Sequence, residues 1–243
     1  MKLTQNSDNE KIRTYQGVLS LVTRKRDCKV LNLGSGTTFN FEKEILAQMP
    51  TARIVSSDRI KIKEVPTGVK YLQRDVERLF DLDEKFDFVT FFELIEHIDN
   101  TDALLKNCAK HLKKDGLLIF SFPNLASIFC RIELALGYQP HILEVSNEKG
   151  NCGTGVFSDL NSPKDNRVKN PPAIHHIRGI TSKAMMDLLQ FHGFKVVAIK
   201  GYSHRADDLF FRYFPSIAPV NVIICKKNHQ KINSGRQCYT ALL

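Results

Sequence analysis

The stretch FFELIEHI, residues 91–98, sets Glu93, Glu96 and His97 three and four positions apart. On a helix that spacing turns all three toward one side, and the set offers two chemistries. A histidine, with an ordinary pKa of about 6.5, can take the proton of an attacking hydroxyl near neutral pH. The same three groups can instead share a divalent ion. A plainer account is available too, because acids at a helix start are favoured by the macrodipole alone. Upstream, Gly34, Ser35 and Gly36 follow one apolar run, and Asp58 and Asp75 follow the next two. A carboxylate at Asp58, 22 residues beyond Gly36, can accept both hydroxyls of a ribose. Aspartate is common after strands for turn reasons; the recurrence of acids at successive strand ends is what points to a site.

Positioning these residues requires an alternating chain. Short β-rich runs occupy 28–33, 53–57, 69–73, 86–92, 117–122, 195–200 and 220–225, and their unbroken apolar character suits strands covered on both faces. Helical patterns lie between several of them. Residues 102–113 put Leu104, Leu105, Cys108 and Leu112 on one stripe, with Gly116 as the expected stop. Residues 182–192 turn Met185, Leu188 and Leu189 inward, with Thr181 or Ser182 as N-cap and Gly193 as terminator. Such βαβ units build an α/β, doubly wound sheet. Ligands of these sheets sit outside the carboxyl ends of the strands, where the glycine turn and the acids fall.

Three ligands compete for a glycine turn at a strand end: a nucleoside triphosphate, a dinucleotide and S-adenosylmethionine. A triphosphate loop needs a lysine after its last glycine, and none follows Gly34 or Gly36 at that spacing. A dinucleotide turn needs a third glycine where this chain has Phe39, and that glycine lets helix pack close on strand. What remains is G-x-G followed by Asp58, an acid that dinucleotide and S-adenosylmethionine enzymes both use.

The series from Gly34 to Glu93 resembles the class I S-adenosylmethionine-dependent methyltransferases, over roughly residues 28 to 125 for a cofactor half and more loosely to about 226. FFELIEHI is similar to the motif after strand four in the ubiquinone-biosynthesis type of small-molecule O-methyltransferase. GLLIFSFPN (116–124) is similar to the fifth strand of that type, and residues 176–202 to its late helix and strand. The resemblance implies a mostly parallel seven-stranded sheet whose last strand, here 220–225, runs antiparallel. It places Gly34, Ser35 and Gly36 against the methionine portion, Asp58 on the ribose, and Asp75 and Val76 beside the adenine. Asn32, Arg59, Phe92 and Glu93 are further candidates for cofactor contact. His97, with Glu96 beside it, is the candidate catalytic pair. Glu-x-x-Glu-His also resembles the metal motif of small-RNA 2′-O-methyltransferases, which add a later histidine, here His175 or His176. The reading adopted is a base without a metal, acting on a small-molecule or cell-surface acceptor. RNA methylation and a non-catalytic nucleoside binder are the alternatives.

Composition sets the remaining bounds. At 243 residues and 42% hydrophobic, the chain can bury the core of one large domain, read as 1–226. The polar start and the lack of an apolar run of roughly 18 residues predict a chain without a membrane span. Six cysteines without a C-x-x-C pair suggest neither zinc nor disulfides and predict a reducing, cytoplasmic setting. Of the formal charge of +9, four come from Lys226, Lys227, Lys231 and Arg236, in a stretch with no acid read as a flexible tail. That distribution weighs against nucleic acid as partner. Residues 125–137 read as an amphipathic helix beside the acceptor, residues 1–20 as a helix capping the cofactor cleft, and 138–180 as a long lid or binding loop.

Overall fold

Seven runs of β-branched, aliphatic and aromatic residues pair into one sheet in the computed structural model, which describes residues 18–25, 27–157, 175–203 and 208–228. Of the helix expected over residues 1–20 only 18–20 are described, and they are helical. Residues 1–17, the centre of the 138–180 loop and residues 229–243 of the charged tail lie outside the described residues. Lys226 and Lys227, expected in that tail, instead pair with Lys195 and Phe194 in the last strand of the sheet. The strands are β1 (Lys29–Leu33), β2 (Arg53–Asp58), β3 (Val69–Gln73), β4 (Phe86–Phe92), β5 (Leu112–Pro123), β6 (Phe194–Tyr202) and β7 (Val220–Lys227). Their order is β3-β2-β1-β4-β5-β7-β6. β1 to β5 pair in parallel, and β7 enters antiparallel between β5 and β6. This is the mostly parallel seven-stranded sheet expected, with 220–225 in the antiparallel strand.

Besides the helical residues 18–22, the helices are α1 (Asn40–Gln48), α2 (Thr101–His111), α3 (Ile128–Ala135), α4 (Ser182–Phe191) and α5 (Asp208–Tyr213). β4 shows why the sheet is covered twice. All seven of its residues are buried, and alternate side chains serve different layers. Val89 and Phe91 pack with Leu104, Leu105 and Cys108 of α2 and Met185 and Leu189 of α4. Phe88 and Phe92 pack with Phe41 and Ile45 of α1 and with Val18, Leu19 and Val22. Side-chain caps start three helices: Asn100 Oδ1 accepts from the Ala103 amide, Ser127 Oγ from Cys130, and Thr181 Oγ1 from Ala184. Gly193, at φ +76°, ends α4 as expected.

Gly116 is a correction. α2 ends at His111 and the chain passes directly into β5, so Gly116 lies inside a strand. A Cβ there would meet the Asp87 carbonyl at 2.9 Å, beside the irregularity in β4–β5 pairing at Phe86 and Phe88. Glycine is required by close backbone approach, not by helix termination.

At the opposite rim from the glycine turn, Asp87 is 4% exposed. Its carboxylate accepts from Lys113 Nζ at 2.9 and 3.0 Å, from the Lys29 amide at 2.9 Å, and from Lys25. Burial pushes its carboxyl up, but Lys25, the Lys29 amide and Lys113 outweigh it and hold the pKa at about 2. A carboxyl depressed in the folded state adds stability above its unfolded pKa of about 3.9, and that stability is lost as pH falls toward 2. Between about pH 5 and about pH 2 the parent should therefore lose up to about 2 kcal/mol more than Asp87→Asn. Urea unfolding of both proteins at the two pH values checks this.

Candidate functional site

The turn after β1 is built on two left-handed glycines, Gly34 at φ +73° and Gly36 at φ +62°. Its amides face inward. Gly34 N–H and Ser35 N–H both donate to the Ser57 carbonyl, at 2.8 and 3.2 Å, and Gly36 N–H donates to Asp58 Oδ2 at 2.9 Å. A phosphate cradle needs such amides turned outward, so these three do not form one. Above Gly36 there is open space, with nothing within 4 Å of where a Cβ would stand. Below Gly34 there is none: a Cβ would lie 2.9 Å from Leu94 Cδ1. The turn is thus wedged against the segment that leaves β4, and Ser35 Oγ donates to the Gly36 carbonyl at 3.3 Å.

Asp58 ends β2 with its second oxygen accepting from the Ile60 amide at 3.3 Å. Arg59 is exposed, and its carbonyl accepts from Gln73 Nε2. Asp75 Oδ1 accepts from the Glu77 amide at 3.0 Å, with Arg78 3.6 Å from Oδ2. Val76 is 7% exposed and its carbonyl accepts from Asn107 Nδ2. Asn32 and Phe92 are buried beneath the rim. The Phe92 ring stands edge-on to Phe41 at 4.8 Å. Asn32 accepts from Thr90 Oγ1 at 2.9 Å and donates to Glu42 Oε1 at 2.7 Å, which Ser56 Oγ also reaches at 2.6 Å.

Glu42 is the residue that sequence reasoning missed. Burial raises the pKa of its carboxyl, and its bonds tie α1, β1 and β2 together directly under the glycine turn. The signal was an acid on the inward stripe of α1, between Phe41 and Ile45.

After β4 the helical premise fails. Residues Ile95–His97 form a single 3₁₀ turn, entered through Glu93 at φ +47°. Glu93 therefore turns away, its Oε1 accepting from Ser121 Oγ at 2.6 Å. Glu96 is 2% exposed. Its Oε1 lies 3.9 Å from His97 Nε2 and 3.9 Å from His176 Nε2, and the two rings meet edge to face at 4.6 Å. Each imidazole is oriented from behind: His97 Nδ1 donates to the His175 carbonyl and His176 Nδ1 to the Ile142 carbonyl, both at 3.0 Å. The structure thus joins His176, and not the His175 ring, to Glu96 and His97. Burial chiefly, with His97 adding to it, lowers the His176 pKa to about 4. The Glu96 carbonyl accepts from the Ile177 and Arg178 amides, and Arg178 bonds the Ile98 and Asp99 carbonyls, so the returning chain is fixed here at several points.

The sheet order, its one antiparallel strand, and a glycine turn sewn to an acid at the end of β2 define the class I methyltransferase architecture. The methyltransferase domain family model matches residues 8–199, and the chain belongs to that family. A ubiquinone biosynthesis O-methyltransferase of Rickettsia conorii is 39% identical over 62 residues, 26% of this chain and 21% of that protein. An (S)-coclaurine N-methyltransferase of Papaver somniferum is 36% identical over 93 residues, 37% of this chain and 24% of that protein. These alignments span under a quarter of each relative's length. The Burkholderia thailandensis 1,6-didemethyltoxoflavin-N1-methyltransferase, solved with its substrate and S-adenosylhomocysteine, superposes with a TM-score of 0.56 at 14% identity, over 89% of this chain and 77% of that one. The plantazolicin methyltransferase BpumL, also solved with S-adenosylhomocysteine, gives 0.56 at 13% identity, over 93% and 86%. At such identities the likeness is one of fold.

Proposed function

We propose that this chain is an S-adenosylmethionine-dependent O-methyltransferase acting on a hydroxyl of a small-molecule acceptor. The observation that carries the reading is the turn: its inward amides suit no phosphate, while the space over Gly36 opens beside a carboxylate able to take ribose hydroxyls. In this reading Gly34, Ser35 and Gly36 lie along the methionine portion, Asp58 accepts from the ribose, and Asp75 and Val76 flank the adenine. Asn32 and Phe92 support the pocket floor from below. The cofactor supplies an electrophilic methyl already activated by its sulfonium. The protein aligns the acceptor for in-line displacement and takes its proton. His97 does the latter through Nε2, with its tautomer set by the His175 carbonyl and Glu96 beside it to offset the charge it gains. Residues 28–125 form the cofactor half and 138–180 the acceptor side. No helix among the described residues is long and apolar enough to cross a membrane.

A second reading has its own observation. Glu96, His97 and His176 bring ligand atoms within 4.8 Å of one another, and both imidazoles spend Nδ1 on carbonyls, which turns Nε2 toward the carboxylate. That arrangement suits a divalent cation. The acceptor class is read by incubating the protein with tritiated S-adenosylmethionine and a fractionated extract. Label in a small-molecule fraction, stable to base as a methyl ether is, is the expected result. Label confined to RNA moves the acceptor to a ribose hydroxyl, and no label in any fraction overturns the catalytic reading.

A further inference from the structure

We propose that Cys130, Glu133 and His141 form a second site, apart from the rim cluster, that binds a zinc-type divalent cation. The first two residues stand one helical turn apart on α3 and face inward; Cys130 and Glu133 are both 0% exposed. The third arrives by a chain reversal. Beyond α3 the Tyr138 amide donates to the Glu133 carbonyl at 2.8 Å, Gly137 takes φ +79°, and the chain folds back over the helix end. His141, 8% exposed, then donates its amide to Glu133 Oε2 at 3.1 Å and sets Nδ1 2.7 Å from Oε1. One ligand atom from each residue lies within 4.8 Å of the others. Tetrahedral ligands at zinc's usual ~2.0–2.3 Å bond lengths stand roughly 3.3–3.7 Å apart, so the three need only small adjustments to enclose one ion.

Charge and donor type point to the same occupant. A thiolate, a carboxylate and a neutral imidazole sum to −2, which a divalent cation cancels in this buried place, with a water taking the fourth tetrahedral position. Sulfur with nitrogen and one oxygen is a set for zinc rather than for magnesium or calcium. Binding releases the Cys130 thiol proton, and the imidazole proton passes from Nδ1 to Nε2 as Nδ1 takes the metal. The site also has a consequence at the rim. It pins the residues around His141, and the next carbonyl along, that of Ile142, is the one that orients His176. A metal here would brace the acceptor side of the cleft without touching the reacting groups.

Cobalt(II) is the probe, because a thiolate ligand gives it an intense near-ultraviolet charge-transfer band that oxygen and nitrogen ligands do not. The chelator-treated full chain should bind cobalt with that band at one equivalent, and zinc should displace it. Cys130→Ser should abolish the band. His141→Gln should weaken zinc binding by at least about 100-fold, since even outer partners of a zinc site are worth ~10–100-fold. His97→Ala should retain the band, which separates this site from a cation at the rim. Absence of the band in the folded parent overturns the proposal and leaves a metal-free hydrogen-bonded triad. So does a band that survives Cys130→Ser. Neither readout depends on methyl transfer, so the proposal and the enzymatic reading can fail separately.

Discussion

Replacing His97 by alanine is expected to lower kcat by ~10²–10⁴-fold, the usual worth of a positioned general base, with little change in affinity for S-adenosylhomocysteine. The imidazole must be neutral to accept the hydroxyl proton. The parent's rate should therefore rise with pH and reach a plateau, and His97→Ala should lose that rise. Chelation separates the two accounts of the cluster. A base works in the presence of a chelator. An ion held by Glu96, His97 and His176 makes turnover fall to background on chelation and return with Mg²⁺ or Mn²⁺, and His176→Ala then weakens that metal's binding, because a neutral imidazole leaves the shell. Activity indifferent to both chelator and His97→Ala sinks both accounts and leaves alignment as the whole of catalysis.

Asp58→Ala should weaken S-adenosylhomocysteine by about 1–3 kcal/mol, or roughly 5- to 150-fold, as expected for losing hydrogen bonds to a carboxylate. The structure adds a second route to the same loss, because Asp58 also accepts from the Gly36 amide and holds the turn in shape. Asp58→Asn separates the two contributions: one amide oxygen can still serve Gly36 while the ribose loses an anionic acceptor. Calorimetry on the three proteins reads the result. Equal affinities in all three would remove Asp58 from the cofactor site, and tight binding of NAD in place of S-adenosylhomocysteine would overturn the cofactor reading.

Strands were legible in the sequence because burial on both faces leaves a continuous apolar run. The reading of 69–73 and 86–92 coincides with β3 and β4. β5 was read short, since Lys113, Lys114 and Asp115 interrupt its apolar character at an end where the strand leaves the core. The glycine turn and the acids after β2 and β3 were legible as local patterns. The rim cluster was only partly so. Glu96 and His97 do meet, but Glu93 does not join them, because its left-handed backbone replaces the helix that periodicity assumed. His176 reaches them across some 80 positions of chain, and no local pattern distinguishes it from His175. Cys130, Glu133 and His141 leave no local pattern for a similar reason: a single cysteine opposite a histidine brought back by a chain reversal lacks the spacing of paired cysteines.

The place of β7 in the sheet bears on how the molecule is assembled. β5 finds its second neighbour in a strand made on the order of 100 residues later, the kind of distant pairing that slows folding. As a chain emerges from the ribosome, β1 to β5 can collapse early, yet the outer edge of β5, lined by Ile119, Phe120 and Phe122, stays open until Val220–Cys225 arrive. An apolar edge of that kind recruits other chains as readily as its own. Closure by β7 is therefore expected to be the late step of maturation, and the interval before it the time at which nascent chains are most prone to aggregate.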